Sequence, residues 1–164
     1  MSAVFTPATA ITIPATSLQR YLGGTAALNL PSPEGTGDWH MMETFFRPRK
    51  TLTRSFISGE GCATNTNAML GDAGIYDCTA ILDDLRIPHE STVAYAANHA
   101  RACADLVLQA VMRGITPEFV VLDDWMPRDS DKQRVFELLD KALFQLNASQ
   151  KRAVLEWQCQ NAES

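Results

Sequence analysis

The sequence lacks any run near the roughly 20 consecutive apolar residues that a membrane-spanning helix requires. Its first residues, Met1 to Pro7, carry neither the positive region nor the apolar stretch of a signal peptide, so a cytoplasmic protein is expected. There is no glycine-rich phosphate loop, no dinucleotide-binding fingerprint and no zinc protease motif, and no cofactor is expected. Closely spaced cysteines are missing as well. Structural zinc sites show two close pairs of ligands, whereas Cys62, Cys78, Cys103 and Cys159 stand far apart. A site built from His40, Cys62, Cys78 and a fourth group is therefore not expected, and the four cysteines read as free thiols in a reducing compartment. Basic residues are in deficit, with 14 Lys and Arg against 19 Asp and Glu and a net charge of -5. That excludes a surface built throughout for nucleic acid and leaves room only for a local basic patch.

What the chain does have is apolar content. Hydrophobic residues make up 46% of its 164 positions, enough for one real core and too short a chain for two domains by default. A single domain over 1–164 is expected, with a β-containing part at 1–75 and a helical part at 76–164. Signals in the first part predict a ragged arm to Pro14 and a short helix opened by the capping-box residues Thr16-Ser17-Leu18-Gln19 and closed at Gly23-Gly24. They then predict a strand over 26–30, a loop through Pro31, Pro33, Gly35 and Gly37, and a strand over 52–58. Residues 38–46 fit neither the helical nor the strand period. The stretch 58–74, rich in residues that tolerate positive backbone angles, reads as a long structured loop of the kind that is often functional.

The second part reads as helices over 77–86, 91–114 and 116–126, one opened by the capping box at Ser130, and a last one after Asn147 or Ser149. The helix over 91–114 is the organising element. Helical spacing aligns Asn98, Arg101, Asp105, Gln109 and Arg113 in one polar stripe, with the small residues Ala96, Ala100 and Ala104 on the opposite side for close packing. The architecture expected is α+β, a small N-terminal antiparallel sheet with a long loop packed on a bundle of about five helices.

Three groupings carry chemistry. Asp38-Trp39-His40 puts a carboxylate two residues from an imidazole, on one side of a strand, where it would orient a general base. With Cys62 as nucleophile the set has the parts of a Cys-His hydrolase acting at the 58–74 loop. The plainer reading makes Trp39 a core residue, ties His40 to a backbone group and lets Asp38 close the Gly37 turn. Arg47, Arg49, Lys50 and Arg54 form a concentrated basic run beside Phe45 and Phe46, suited to RNA or an acidic protein surface, or else to a strand edge guarded by charge. Asp83-Asp84 and Asp123-Asp124 fall at predicted helix C-termini, where negative charge opposes the helix dipole. A cation is expected to offset them: an arginine of the same chain first, then a metal, then another protein. The same acids allow a further reading, inhibition of a nucleic-acid-processing complex through an acidic surface.

Tyr21-Leu22-Gly23-Gly24, Ala27-Leu28-Asn29-Leu30 and Gly37-Asp38-Trp39-His40 together resemble the opening of small bacterial proteins encoded beside abortive-infection nucleotidyltransferase toxins. The resemblance spans residues 21–40. It implies an intracellular antitoxin or accessory protein that works by binding, with a nucleotidyltransferase-type toxin as its partner. The expected function is a non-catalytic, protein-binding component of a bacterial defence or toxin-antitoxin system. Its expected partner-binding residues are Arg47, Arg49, Lys50, Arg54, Asp83, Asp84, Asp123 and Asp124. Asp38, His40 and Cys62 are the catalytic set of the hydrolase alternative.

Overall fold

Alternation along a strand sends neighbouring side chains to opposite faces of a sheet, and Tyr21 and Leu22 divide this molecule in that way. Both are fully buried, Tyr21 in one apolar cluster and Leu22 in another. The computed structural model describes residues 10–38, 44–46 and 56–162. Its sheet has four short strands, β1 (Arg20–Leu22), β2 (Ile57–Gly59), β3 (Ile75–Asp77) and β4 (Tyr95–Ala97), in the order β2-β1-β4-β3. The outer pairs are antiparallel, and the central pair, β1 with β4, is parallel with Leu22 opposite Ala96.

Six α-helices accompany the strands among the described residues: α1 (Gly24–Leu28), α2 (Asn67–Leu70), α3 (Thr79–Asp84), α4 (His99–Met112), α5 (Asp129–Ala142) and α6 (Ala148–Ala162). α4, α5 and α6 bury Val107, Leu108, Leu139, Val154 and Trp157 in the cluster that holds Tyr21 and Ala97. Ile11, Ile13, Phe45, Leu82 and Ile87 share the other cluster with Leu22 and Ala96. The class is α+β, a sheet packed on a helical bundle, as the sequence leads one to expect. No helix among the described residues is long and apolar enough to cross a membrane.

Several local expectations are corrected. The sheet is mixed rather than antiparallel and takes β3 and β4 from beyond residue 74, so strands are not confined to the first part. A parallel pair needs a long crossover, and residues 23–94 supply it. The helix expected from Ser91 begins only at His99, because Tyr95 to Ala97 pair with both β1 and β3. Sheet pairing has overridden helix propensity there. No helix opens at Thr16: the Ser17 hydroxyl accepts from the amides of Gln19 and Arg20 in a turn that leads into β1. Residues 26–30, expected to be extended, instead contain most of α1. The helix expected over 116–126 is a turn followed by a single 3-10 turn at Leu122–Asp124.

Candidate functional site

The polar stripe of α4 turns inward at Arg101 and Asp105. Asn98 caps the helix by accepting from the Arg101 amide at 2.8 Å, Arg101 and Asp105 are wholly buried, and Gln109 and Arg113 carry the stripe out to the surface. What the stripe meets is the 58–74 loop and Tyr21. Arg101 Nε donates to Asp105 Oδ1 at 2.9 Å, and its Nη1 donates to the carbonyls of Gly71 and Ala73 at 2.9 and 2.6 Å. Its Nη2 donates to Thr66 Oγ1, Tyr21 Oη and Asn67 Oδ1. The Tyr21 and Thr66 hydroxyls in turn donate to the two Asp105 oxygens, each at 2.5 Å.

A buried charge is tolerable only when paired and fully hydrogen-bonded, and this cluster meets both conditions. Burial, and then the Asp105 charge, push the Tyr21 phenol well above its usual range, so it stays neutral and donates. The fork of Arg101 therefore clamps the loop from Thr66 to Ala73 against α4 and β1. Gly74 makes the close approach feasible. It lies at φ +77 with Arg101 Cβ 2.8 Å from where its own side-chain carbon would stand.

Beyond the clamp the stripe lines a cleft of about 240 Å³, walled by the β1–α1 turn, β2 and the end of α4. A second groove, about 450 Å³, runs between Val111–Thr116 and the start of α6. The segment beside it displays Met112, Ile115, Phe119 and Val121, each between 40% and 58% exposed. That segment is held firmly on α6: Trp157 Nε1 donates to the Val120 carbonyl at 2.8 Å, and the Leu122 amide donates to Asn161 Oδ1 at 2.9 Å.

The residues singled out from the sequence are dispersed. Asp38 follows the Gly37 turn, its amide donating to the Leu28 carbonyl at 2.8 Å, whereas His40 lies outside the described residues. Cys62 is half-buried in the turn after β2, its Sγ 3.7 Å from the Glu60 carbonyl. Among the described residues no cluster of three or more His, Cys, Asp or Glu is placed to hold a metal. Arg47, Arg49, Lys50 and Arg54 also lie outside the described residues.

The acidic pairs are half engaged within the chain. Asp83 Oδ1 meets His89 Nε2 at 2.8 Å, which raises the His89 pKa, and Asp123 Oδ1 accepts from the buried Lys132 Nζ at 2.6 Å. The groups that meet these acids are thus a histidine and a lysine rather than the expected arginine. Asp84 and Asp124 remain exposed. The leucines that precede the two acidic pairs, Leu82 and Leu122, are buried in different clusters.

Comparison of the chain with protein-family models, with curated proteins and with solved structures returns no match.

Proposed function

We propose that the protein acts by binding another protein, as a non-catalytic antitoxin-like or accessory component of a bacterial defence system. The motif over 21–40 suggests a nucleotidyltransferase-type toxin as the partner. One observation supports binding above the others: four large apolar side chains, Met112, Ile115, Phe119 and Val121, stand exposed within ten residues, and the first two line a groove. Scattered exposed apolar residues are ordinary, but several concentrated on one rigid segment favour a surface that another chain covers. Hydrogen bonds from Trp157 and to Asn161 hold that segment before any partner arrives, which lowers the ordering cost of association.

The test is co-expression with the product of the adjacent gene, followed by affinity capture. A stable one-step complex that Phe119→Asp abolishes, in a variant that still folds, is the expected result. Absence of a complex, together with turnover of a substrate by the purified chain alone, would replace this proposal with the hydrolase alternative at Cys62.

A further inference from the structure

The cleft beyond the clamp carries unused hydrogen-bonding capacity. Thr25, Ser58, Thr64, Gln109 and Arg113 all line it, and among the described residues none of their side chains makes a hydrogen bond or ion pair. For Arg113, at the surface, water suffices. Ser58 is only 3% exposed overall, yet Asn29 Oδ1 is the one buried side-chain atom left without a partner among the described residues, so the unpaired Ser58 hydroxyl is not sealed in and keeps contact with the cleft it lines. Its Oγ lies where a side-chain carbon on Gly23 would collide with it, so a glycine at that position leaves the hydroxyl room beside the cleft.

Charge and size narrow what fits. Asp105 forms part of the floor, but both its oxygens are occupied by Arg101, Thr66 and Tyr21, and with Arg101 it is neutral as a pair. Arg113 is then the charge that sets the sign of the cleft. A single guanidinium offers two parallel N–H donors, matching the two oxygens of a carboxylate, and hydroxyls and a primary amide can complete the set. A phosphate group would bring about -1.5 to -2 against that one positive charge. Ile57 and Leu106 supply apolar wall for a short aliphatic stem.

We infer that this cleft is a recognition site for a carboxylate, carried by a free small acid or by an Asp or Glu side chain of another chain. Arg113 also lines the groove beside Met112 and Ile115, so an acidic residue of a chain lying on that row has a route to it. The inference holds for a free acid even if the protein has no partner.

The test follows backbone amide resonances of the whole chain during titration, at constant ionic strength, with propionate, with N-acetylglutamate amide and with sodium phosphate. Saturable shifts at Ser58, Thr64 and Gln109 with both carboxylates are expected, and Arg113→Gln and Ser58→Ala should each weaken them, the former roughly tenfold. Equal affinity for the two carboxylates indicates a free acid as the natural ligand, and tighter binding of N-acetylglutamate amide indicates a side chain. Arg113 is exposed, so Arg113→Gln should keep its thermal midpoint, which separates loss of the site from loss of the fold. No saturable shift, phosphate binding as strong as propionate, or unchanged affinity in Arg113→Gln would overturn the assignment.

Discussion

Arg101 and Asp105, one turn apart on α4, form an ion pair at 2.9 Å with side chains 0% and 1% exposed. Removing one member strands the other's charge in a dry interior, which costs about 3–5 kcal/mol for buried pairs. Arg101→Met and Asp105→Leu should each lower the unfolding free energy read from urea denaturation by that order. The double variant should lose less than the sum, because no unpaired charge remains. Strict additivity of the two losses would show that the pair is not coupled.

The same pair shows where sequence reading stops. Steps of three and four correctly align Arg101 and Asp105, yet a polar stripe on a helix ordinarily means a solvent face. The middle of this one, Arg101 and Asp105, is buried because Tyr21, 84 residues from Asp105 in the chain, and Thr66, 35 residues from Arg101, bring hydroxyls that satisfy it. No periodicity encodes such distant partners. α5 was legible from its apolar spacing, although the capping box read at Ser130 does not form and the helix begins at Asp129 without a side-chain cap, and α6 was legible from Asn147, whose Oδ1 accepts from the Gln150 amide. β4 was not, since Tyr-Ala-Ala suits a helix as readily as a strand and only pairing with β1 and β3 decides. Of the candidate site, the irregular stretch over 58–74 was readable from its turn-forming residues, whereas its attachment to Arg101 and the cleft beside it were not, the walls coming from three separate segments.

Ala104 is fully buried in the main cluster, whereas Ala100 is only partly buried beside it. Ala104→Leu inserts methylenes into close packing and should cost about 1–3 kcal/mol, with Ala100→Leu costing less. Thermal midpoints of the two variants check the order. Equal loss at both positions would contradict this placement of α4.

Stability should fall in mild acid through His99. Burial first of all lowers its pKa below the usual 6.5, while Nε2 donates to the Leu30 carbonyl at 2.9 Å and Nδ1 accepts from Thr36 Oγ1 at 2.7 Å. A histidine held neutral in the fold binds its proton more readily when unfolded. Its contribution is therefore complete above 6.5 and is lost as pH drops toward the folded value. His89, whose pKa the Asp83 hydrogen bond raises, works in the opposite sense, stabilising below 6.5 and losing that contribution as pH rises. Denaturation midpoints of His99→Gln and His89→Gln across pH 5 to 8 should change slope in opposite directions relative to the parent. Parallel slopes would refute the assignment.

Thiol reactivity should divide the four cysteines in two. Cys159 is exposed and Cys62 half-buried, while Cys78 and Cys103 are buried, with burial pushing the Cys78 thiol up to about 12 and Cys103 higher still. A chromogenic disulfide reagent should titrate Cys159 and Cys62 in the native protein, and the other two only in denaturant. Four rapid equivalents under native conditions would contradict the burial of Cys78 and Cys103.

Recognition through the apolar row, rather than through the acidic pairs, is decided by the Kd for the captured adjacent gene product at low and high salt. Contacts made by Phe119 and Ile115 should respond weakly to screening, whereas surface charge contacts fade as salt rises. Ile115→Asp and Phe119→Asp should therefore each weaken binding by roughly tenfold or more at both salt concentrations, the loss typical of a buried interface anchor. Asp84→Lys and Asp124→Lys should change it little. An unchanged Kd in both apolar variants, with a salt-dependent loss in the charge reversals, would contradict binding through this surface.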